Sequence, residues 1–315
     1  MTQYAILIPQ YNDWEALNLL IAQLNKDVAA DTLAATSLVI VDDCSTQEQY
    51  TLEKFDGKSV QIVRLWRNMG HQRAIAIGLS YVASEFACNK IIVMDADGED
   101  APVDINKLVS ASNIQPDKII FAHRTKRHEG FVFQFFYAIY KFVFRQLTGK
   151  VITFGNFCIM PNRRLQNLVR VSEIWNNFPG GVIKSRLAYD SVPIERGKRL
   201  AGKSKMNFVS LILHGLSTVS VLIDVTAVRL LIFSICMSIF AFLGIMVVLY
   251  MKLVSHIAIP GWTSSLGSAF FIVILQLLLI SLFLVFMVLQ YRTQQHFLPA
   301  TQYKDFVEKV EEVQQ

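Results

Sequence analysis

Ile91-Ile92-Val93-Met94-Asp95-Ala96-Asp97-Gly98-Glu99-Asp100 is the stretch that decides the fold. Four apolar residues, three of them β-branched, run straight into acids. This is the pattern of a buried strand that ends at the rim of a sheet. Open α/β sheets bind their ligands at that rim. Asp95 and Asp97 stand one residue apart and repel each other unless a cation lies between them. A hard divalent ion with oxygen ligands fills that role and keeps positions open for a substrate's phosphates. A solvated acidic turn is the plainer alternative, and the short D-x-D spacing alone does not separate the two.

Working outward, the first 125 residues alternate short apolar runs with helical patterns. Strands are expected at Tyr4–Ile8, Ser37–Val41, Val60–Leu65, Lys90–Met94 and Lys118–Ala122. Helices are expected at Trp14–Leu24, capped by Asn12 or Asp13, and at Gln72–Ala83, with Ile75, Leu79 and Val82 facing inward. Strands alternating with helices predict βαβ units, hence an α/β fold with a mostly parallel, Rossmann-like sheet. No G-x-G-x-x-G or G-x-x-x-x-G-K-[ST] occurs, so neither a dinucleotide site nor a P-loop is expected.

The 315 residues are 53% hydrophobic, and unevenly so. Residues 230–251 and 266–291 carry no charge, and each exceeds the roughly 20 residues that span a bilayer core. Two transmembrane helices are therefore expected, at 229–252 and 266–291. Lys252 and Arg292 close them. Arg229, Arg292, Lys304 and Lys309 flank the pair, whereas the short link carries one lysine. The positive-inside rule then places the large N-terminal region and a tail at 292–315 in the cytoplasm. No charged segment followed by an apolar run opens the sequence, so no secretory signal is expected. Cys44, Cys88, Cys158 and Cys236 lack CxxC spacing and read as free thiols. A net charge of +5 suits anionic lipid, and no nucleic-acid-binding module is present.

Residues 131–147 crowd eight aromatics around Lys141 and Arg145, which reads as a helix lying in the membrane interface. The apolar stretch 206–228, interrupted by His214 and Asp224, reads as a second interfacial helix or an imperfect span. A third span would invert the tail.

Several segments form one pattern: Ile8-Pro9-Gln10-Tyr11-Asn12, Val41-Asp42-Asp43-Cys44-Ser45, and Arg67-Asn68-Met69-Gly70-His71-Gln72-Arg73-Ala74. Asp95 to Pro102, Gly155-Asn156-Phe157 and Arg199 to Lys205 complete it. With two apolar C-terminal helices, the pattern resembles the family 2 glycosyltransferases of the GT-A fold, and among them the membrane-anchored polyprenyl-phosphate glycosyltransferases. The resemblance implies a cytoplasmic GT-A domain over residues 1–205. It also implies a nucleotide-sugar donor, a polyprenyl phosphate acceptor, inversion at the anomeric carbon, Mg²⁺ or Mn²⁺, a bilayer partner and a homo-oligomer.

By the same resemblance, Asp95 and Asp97 match the metal-binding acids. Glu99, standing where relatives usually carry Gln, is a candidate third ligand, and Gly98 replaces the usual Leu. Pro9, Tyr11, Asn12, Asp42 and Asp43 would contact the nucleoside, although Asp42 equally suits a cap of the next turn. Asn68, Gly70, Arg73 and Ala96 fall in the donor-binding set. Backbone N–H groups near Gly70 favour an anionic ligand, and His71 and Arg73 would lie near the donor phosphates. The basic residues Arg124, Arg127, Arg199, Lys203, Ser204 and Lys205 would hold the acceptor phosphate, because Arg offers bidentate recognition. Asp97, Arg199 and Lys205 form the expected catalytic set. A phosphate oxygen needs little help from a base, whereas a hydroxyl acceptor would need one, with Asp100 or Asp190 as candidates. A glycan hydroxyl as acceptor and a non-catalytic lipid-binding scaffold are the alternatives.

Overall fold

The computed structural model describes residues 2–47, 51–124, 142–150, 154–195, 197–202, 208–254, 261–293 and 297–313. Arg127, Lys203, Ser204, Lys205 and residues 131–141 of the expected interfacial helix lie outside them, as does the side chain of His214. The chain divides into two compact units. One holds 1–134, 152–221 and 296–315; the other holds 135–151 and 222–295.

The first unit is built on a sheet of eight described strands. In chain order these are β1 (Thr2–Gln10), β2 (Thr36–Asp42), β3 (Val60–Leu65), β4 (Cys88–Val93), β5 (Ile119–Arg124), β6 (Cys158–Pro161), β7 (Tyr189–Ile194) and β8 (Val307–Val313). Their order across the sheet is β7-β5-β6-β4-β1-β2-β3-β8. The heart, β4-β1-β2-β3, is parallel as expected. The flanks are mixed: β6 runs antiparallel to β4 and β5, β8 runs antiparallel to β3, and β5 pairs with β7 in parallel. β1 shows why the sheet is buried on both faces. Its alternating side chains separate, with Ala5 and Leu7 entering one apolar cluster and Tyr4, Ile6 and Ile8 the other.

Helix α1 (Trp14–Asp27) packs Leu17, Leu20, Ile21 and Leu24 into the second cluster. A short α2 (Ala30–Ala34) follows it. Helix α3 (His71–Glu85) packs Ile75 and Leu79 into the first cluster. A Cβ at Gly78 would lie 2.5 Å from a Leu7 methyl and 2.6 Å from a Val41 methyl, so glycine sets how closely α3 approaches the sheet. Helix α4 (Val103–Ile114) covers the same face as α1.

The region read as a tail returns to this unit. β8 pairs with β3 from Val60↔Val313 to Leu65↔Val307, and Arg64 Nε contacts Glu311 Oε2 at 2.9 Å. Within the expected cytoplasmic tail at 292–315, residues 307–313 form an edge strand, whose charged side chains protect the exposed edge.

In the second unit, helix α5 (residues 142–148) ends against Arg229, whose Nη1 donates to Arg145 O at 3.3 Å and to Gln146 O at 2.9 Å. A cation thereby satisfies the last carbonyls of a helix. The first unit continues with α6 (Asn162–Leu168), α7 (Phe178–Ser185) and α8 (Phe208–Val221). The second unit's long helices are α9 (Ile223–Leu253) and α10 (Trp262–Thr293). Their apolar windows have mean hydropathy 2.7 and 3.1 and are only 17% and 11% buried, so both are candidate membrane spans by length and composition. α9 starts earlier than the expected 229, and α8 ends at Val221 rather than at 228. A final short α11 (Pro299–Gln302) belongs to the first unit.

Candidate active site

Because β1 to β4 are parallel, the segments that follow them gather along one rim. After β4 the chain turns sharply and folds the acids onto each other. Asp95 N donates to Asp100 Oδ2 at 3.0 Å, and Asp100 Oδ1 lies 2.9 Å from Arg124 Nη2. Arg124 Nη1 reaches Glu99 Oε2 at 3.4 Å. Asp100 is 2% exposed, so it lies beneath the loop rather than in the cleft. Burial, and then the charge on Asp95, push its carboxyl up to about 7 against the pull of Arg124. Burial would raise Asp95 as well, but His71 and Arg124 outweigh it and hold that carboxyl below its usual range. The neighbouring acids therefore separate, with Asp95 keeping its charge.

Asp97 projects from the other side of the turn. Its Oδ1 accepts from Glu99 N at 3.0 Å, and its Oδ2 lies 3.1 Å from Arg199 Nη1. Arg199 Nη2 also reaches Asp13 Oδ2 at 3.4 Å. Burial, with the charges of Asp95 and Glu99, raises the Asp97 carboxyl. The segment carrying Arg199 is docked by its backbone. Gly197 N donates to Glu99 O at 2.9 Å, and Leu200 N donates to Asp97 O at 2.9 Å.

This docking accounts for the unusual Gly98. Its φ is +81°, and a Cβ there would lie 2.3 Å from Leu200 Cγ. Gly98→Ala is expected to lower stability by about 2 kcal/mol through backbone strain and the clash. Combining it with Leu200→Ala relieves the clash but not the strain. Thermal unfolding of the two single variants and the double variant should therefore give non-additive losses.

His71 opens α3 and faces Asp95, with Nε2 3.2 Å from Asp95 Oδ1. Its imidazole is pulled down by desolvation, but Asp95 and the acids behind it raise it overall. Asn156 Nδ2 lies 2.9 Å from the same Nε2, and Gln72 Nε2 donates to Asn156 Oδ1 at 3.1 Å. Phe178 N in turn donates to Gln72 Oε1 at 2.7 Å.

Toward β2, adjacent acids take different places. Asp42, expected among the nucleoside contacts, is 1% exposed. Its Oδ1 accepts from Gln10 Nε2 at 2.7 Å and from Ser45 N at 3.1 Å, and its Oδ2 meets Arg64 Nη1 at 2.8 Å. It is a buried support that caps the turn, because its strand position points it into the sheet layer. Asp43 accepts from Met69 N at 2.6 Å and Gly70 N at 2.8 Å, tying the loop before α3 to β2. Burial raises its carboxyl despite these two donors. Asn12 has φ +51° and accepts from Thr46 N at 2.8 Å and Gln47 N at 3.0 Å. Pro9 is buried within β1, Asn68 is exposed, and Tyr11 is 36% exposed at the rim.

Three of the cations expected near phosphates each face a protein group. Arg73 stacks over Trp175, 5.5 Å from the ring centroid, rather than turning to the Asp95 loop. Arg124 faces Asp100 and Glu99, and Arg199 faces Asp97 and Asp13, where acceptor contacts were expected. Each acid of the D-x-D turn already has a cation beside it. Sequence reasoning gave Asn156 no role and Asp13 only that of a helix cap, whereas Asp13 makes no side-chain cap bond and meets Arg199.

The donor chemistry fits a hard divalent ion. Asp95 Oδ1 is buried and receives no hydrogen bond, and the Asp97 carboxylate stands on the same turn. Among the described residues no group of three His, Cys, Asp or Glu has ligand spacing. Two acids on one turn match the way Mg²⁺ is commonly held, by one or two carboxylates with the remaining positions taken by water and substrate phosphates.

Comparison with known proteins agrees with this geometry. The pattern described as "Glycosyl transferase family 2" matches residues 5–167, more than half of the chain, and the chain belongs to that family. It is 29% identical over 277 residues to the uncharacterized glycosyltransferase YkcC of Bacillus subtilis (strain 168), covering 83% of this chain and 81% of the relative. It is 26% identical over 218 residues to an undecaprenyl-phosphate 4-deoxy-4-formamido-L-arabinose transferase of Salmonella choleraesuis (strain SC-B67), covering 66% of this chain and 64% of that one. Among solved structures, it shares its fold with glucosyl-3-phosphoglycerate synthase from Mycobacterium tuberculosis in complex with Mn²⁺, uridine-diphosphate and phosphoglyceric acid. The TM-score is 0.51 at 12% identity, over 71% of this chain and 78% of that one. The first unit therefore has the GT-A fold, and two long apolar helices follow it as candidate membrane spans.

Proposed function

We propose that this glycosyltransferase moves one sugar from a nucleotide-sugar to a polyprenyl phosphate at the cytoplasmic face of a membrane. The observation that carries the reading is the 3.1 Å pair between Arg199 and Asp97. It brings the segment that leads toward α8, and on to two apolar helices, onto the acids that follow β4.

Asp95 and Asp97 would hold Mg²⁺ or Mn²⁺, which when bound stabilises the negative charge growing on the departing diphosphate. Gly70 and the backbone around it, tied down by Asp43, would line the donor side with Tyr11. An acceptor phosphate oxygen, already ionised near neutral pH, attacks the anomeric carbon. The new C–O bond forms as the bond from that carbon to the nucleotide diphosphate breaks, and the stereochemistry inverts. Arg199 orients the incoming phosphate, for which it is well suited by its forked donors. Lys203, Ser204 and Lys205 follow it in the sequence and would extend the same phosphate site. Arg124 supports the turn from beneath.

The hydroxyl-acceptor alternative gains nothing from Asp100, since that carboxyl is buried and committed to Arg124 and Asp95 N. The scaffold alternative rested on Gly98 and Glu99: Leu200 packs where a Cβ at Gly98 would stand, and Glu99 pairs with Arg124 at 3.4 Å.

β8 also supports two crossings. It shares a sheet with β1 to β4, so the chain must leave and re-enter one compartment an even number of times. α8 then lies outside the spans, and both N- and C-terminal regions are cytoplasmic by the positive-inside rule.

The test uses the full chain in detergent with labelled nucleotide-sugars and undecaprenyl phosphate. A lipid-linked product that is stable to alkali and labile to mild acid, formed with Mn²⁺ and lost with EDTA, is the expected result. Transfer only to a lipid-linked glycan, or no transfer from any donor, overturns the reading.

A further inference from the structure

Helices α5 and α9 of the second unit meet around a cavity that the reaction above does not use. Its volume is about 550 Å³, and Phe142, Arg145, Gln146, Gly149 and Arg229 line it. The lining holds two arginines and no acid. Arg229 is only partly spent. Its Nη1 donates to the carbonyls of Arg145 and Gln146, and its Nε and Nη2 have no partner among the described residues. The Arg145 side chain likewise has no ion pair or hydrogen bond among the described residues, and both arginines are exposed. Gly149 gives the guanidinium its room: a Cβ there would lie 2.3 Å from Arg229 Nη2 and 2.8 Å from Cζ.

Arg229 is also the last charge before the apolar run of α9, since residues 230–251 carry none. If α9 crosses a bilayer, Arg229 stands where the headgroups begin. Below it on the same helical face come Phe233, Cys236 and Phe240, at i+4, i+7 and i+11. Phe233 is 58% exposed and Phe240 70% exposed, and Cys236 is exposed too. On α5, Phe142 and Val143 are exposed beside the cavity. A cationic cavity therefore stands at the head of an uncovered apolar track, which is the outline of an amphiphile rather than of a soluble anion.

We propose that this cavity binds the phosphodiester headgroup of an anionic bilayer phospholipid, with an acyl chain lying along the Phe233–Phe240 face of α9. Guanidinium forks match phosphate oxygens in geometry as well as in charge. The lining selects an anionic lipid over a zwitterionic one, because it offers cations to the phosphate and no acid to a headgroup ammonium. Gln146 is its neutral polar side chain and suits a headgroup hydroxyl. Basic sites beside membrane helices bind anionic headgroups on the cytoplasmic side in this way. A phosphate held by both arginines would fasten α5 to α9. The inference rests on α9 crossing a bilayer, and not on the identity of the sugar or its acceptor.

The test uses the full chain in detergent. Native mass spectrometry follows its titration with phosphatidylglycerol, phosphatidylcholine of the same chains, undecaprenyl phosphate and inorganic phosphate. The wild type should bind phosphatidylglycerol roughly tenfold more tightly than phosphatidylcholine. Arg145→Gln should weaken phosphatidylglycerol roughly fivefold, the scale of one arginine near a charged surface. That side chain has no partner among the described residues, so the thermal midpoint without lipid should stay unchanged. Arg229→Lys keeps a cation over the end of α5 but loses the fork, and it should weaken the lipid as well. Phosphatidylglycerol should raise the thermal midpoint of the wild type more than that of either variant.

Equal uptake of the two phospholipids, or unchanged phosphatidylglycerol binding in Arg145→Gln, overturns the proposal. Displacement of the lipid by inorganic phosphate at matched concentration would show a site for the free anion and overturn it too. So would displacement by undecaprenyl phosphate together with a raised KM for that acceptor in Arg145→Gln, which would give the cavity to the acceptor. Selective phosphatidylglycerol binding without any sugar transfer would leave the lipid site standing and defeat the functional reading alone.

Discussion

Asp97→Asn is expected to lower sugar transfer by about 10³-fold, the scale of losing several kcal/mol of charge stabilisation at a leaving group. The stability of the protein should not fall with it. The Asp97 carboxyl is raised by burial and by Asp95 and Glu99, against the opposing pull of Arg199, so its ionised form is disfavoured in the folded state. A raised acid contributes stability when protonated and loses it as pH rises through the folded value. Removing the charge at neutral pH should therefore leave the thermal midpoint unchanged or higher, the pattern of a residue kept for activity. Transfer of labelled sugar to undecaprenyl phosphate and tryptophan-monitored unfolding, measured on the same preparation, check both halves. Wild-type turnover in the variant would remove Asp97 from the site.

Arg64→Met should show the opposite signature, a large loss of stability. Asp42 is buried and its Oδ2 meets Arg64 Nη1 at 2.8 Å. Taking away one partner of a buried pair leaves an uncompensated charge, here worth about 3 kcal/mol. The Gln10 and Ser45 bonds to Oδ1 remain and limit the damage. Adding Asp42→Asn to Arg64→Met should recover much of the loss. A double-mutant cycle by thermal or urea unfolding measures the coupling, and simple additivity would show that the pair is not coupled. Because Asp42 also fixes the turn that carries Ser45, Arg64→Met should raise the donor KM more than it lowers kcat.

The parallel heart of the fold was legible because β1, β2 and β4 are continuous apolar runs bounded by polar residues, the form that strands buried on both faces must take. β8 was not. Val307, Val310 and Val313 recur every third residue among charges, a helical spacing, whereas in the strand Val307 and Val313 pack against opposite apolar clusters. β6 is only four residues long and gives no period.

At the site, the acids after β4 could be read directly, because strand ends and carboxylates are both visible in one local stretch. The partners that give them meaning could not. Arg199 lies 102 positions from Asp97 and Asn156 lies 85 from His71, and no local pattern reports such a meeting. Asp42 and Asp43 look alike in sequence, yet the two-residue repeat of a strand sends neighbouring side chains opposite ways. One becomes the partner of Arg64 and the other ties down the loop before α3.

The pairing of β3 with β8 also sets an order of events during biosynthesis. Arg64 and Glu311 are 247 positions apart, and the hairpin of α9 and α10 lies between them. While the ribosome is still making that hairpin, β3 presents an open edge with unpaired amides and carbonyls, and Arg64 lacks its second carboxylate. The nascent chain therefore passes through an interval in which its sheet is exposed to mispairing, and that edge closes only once β8 has emerged and docked.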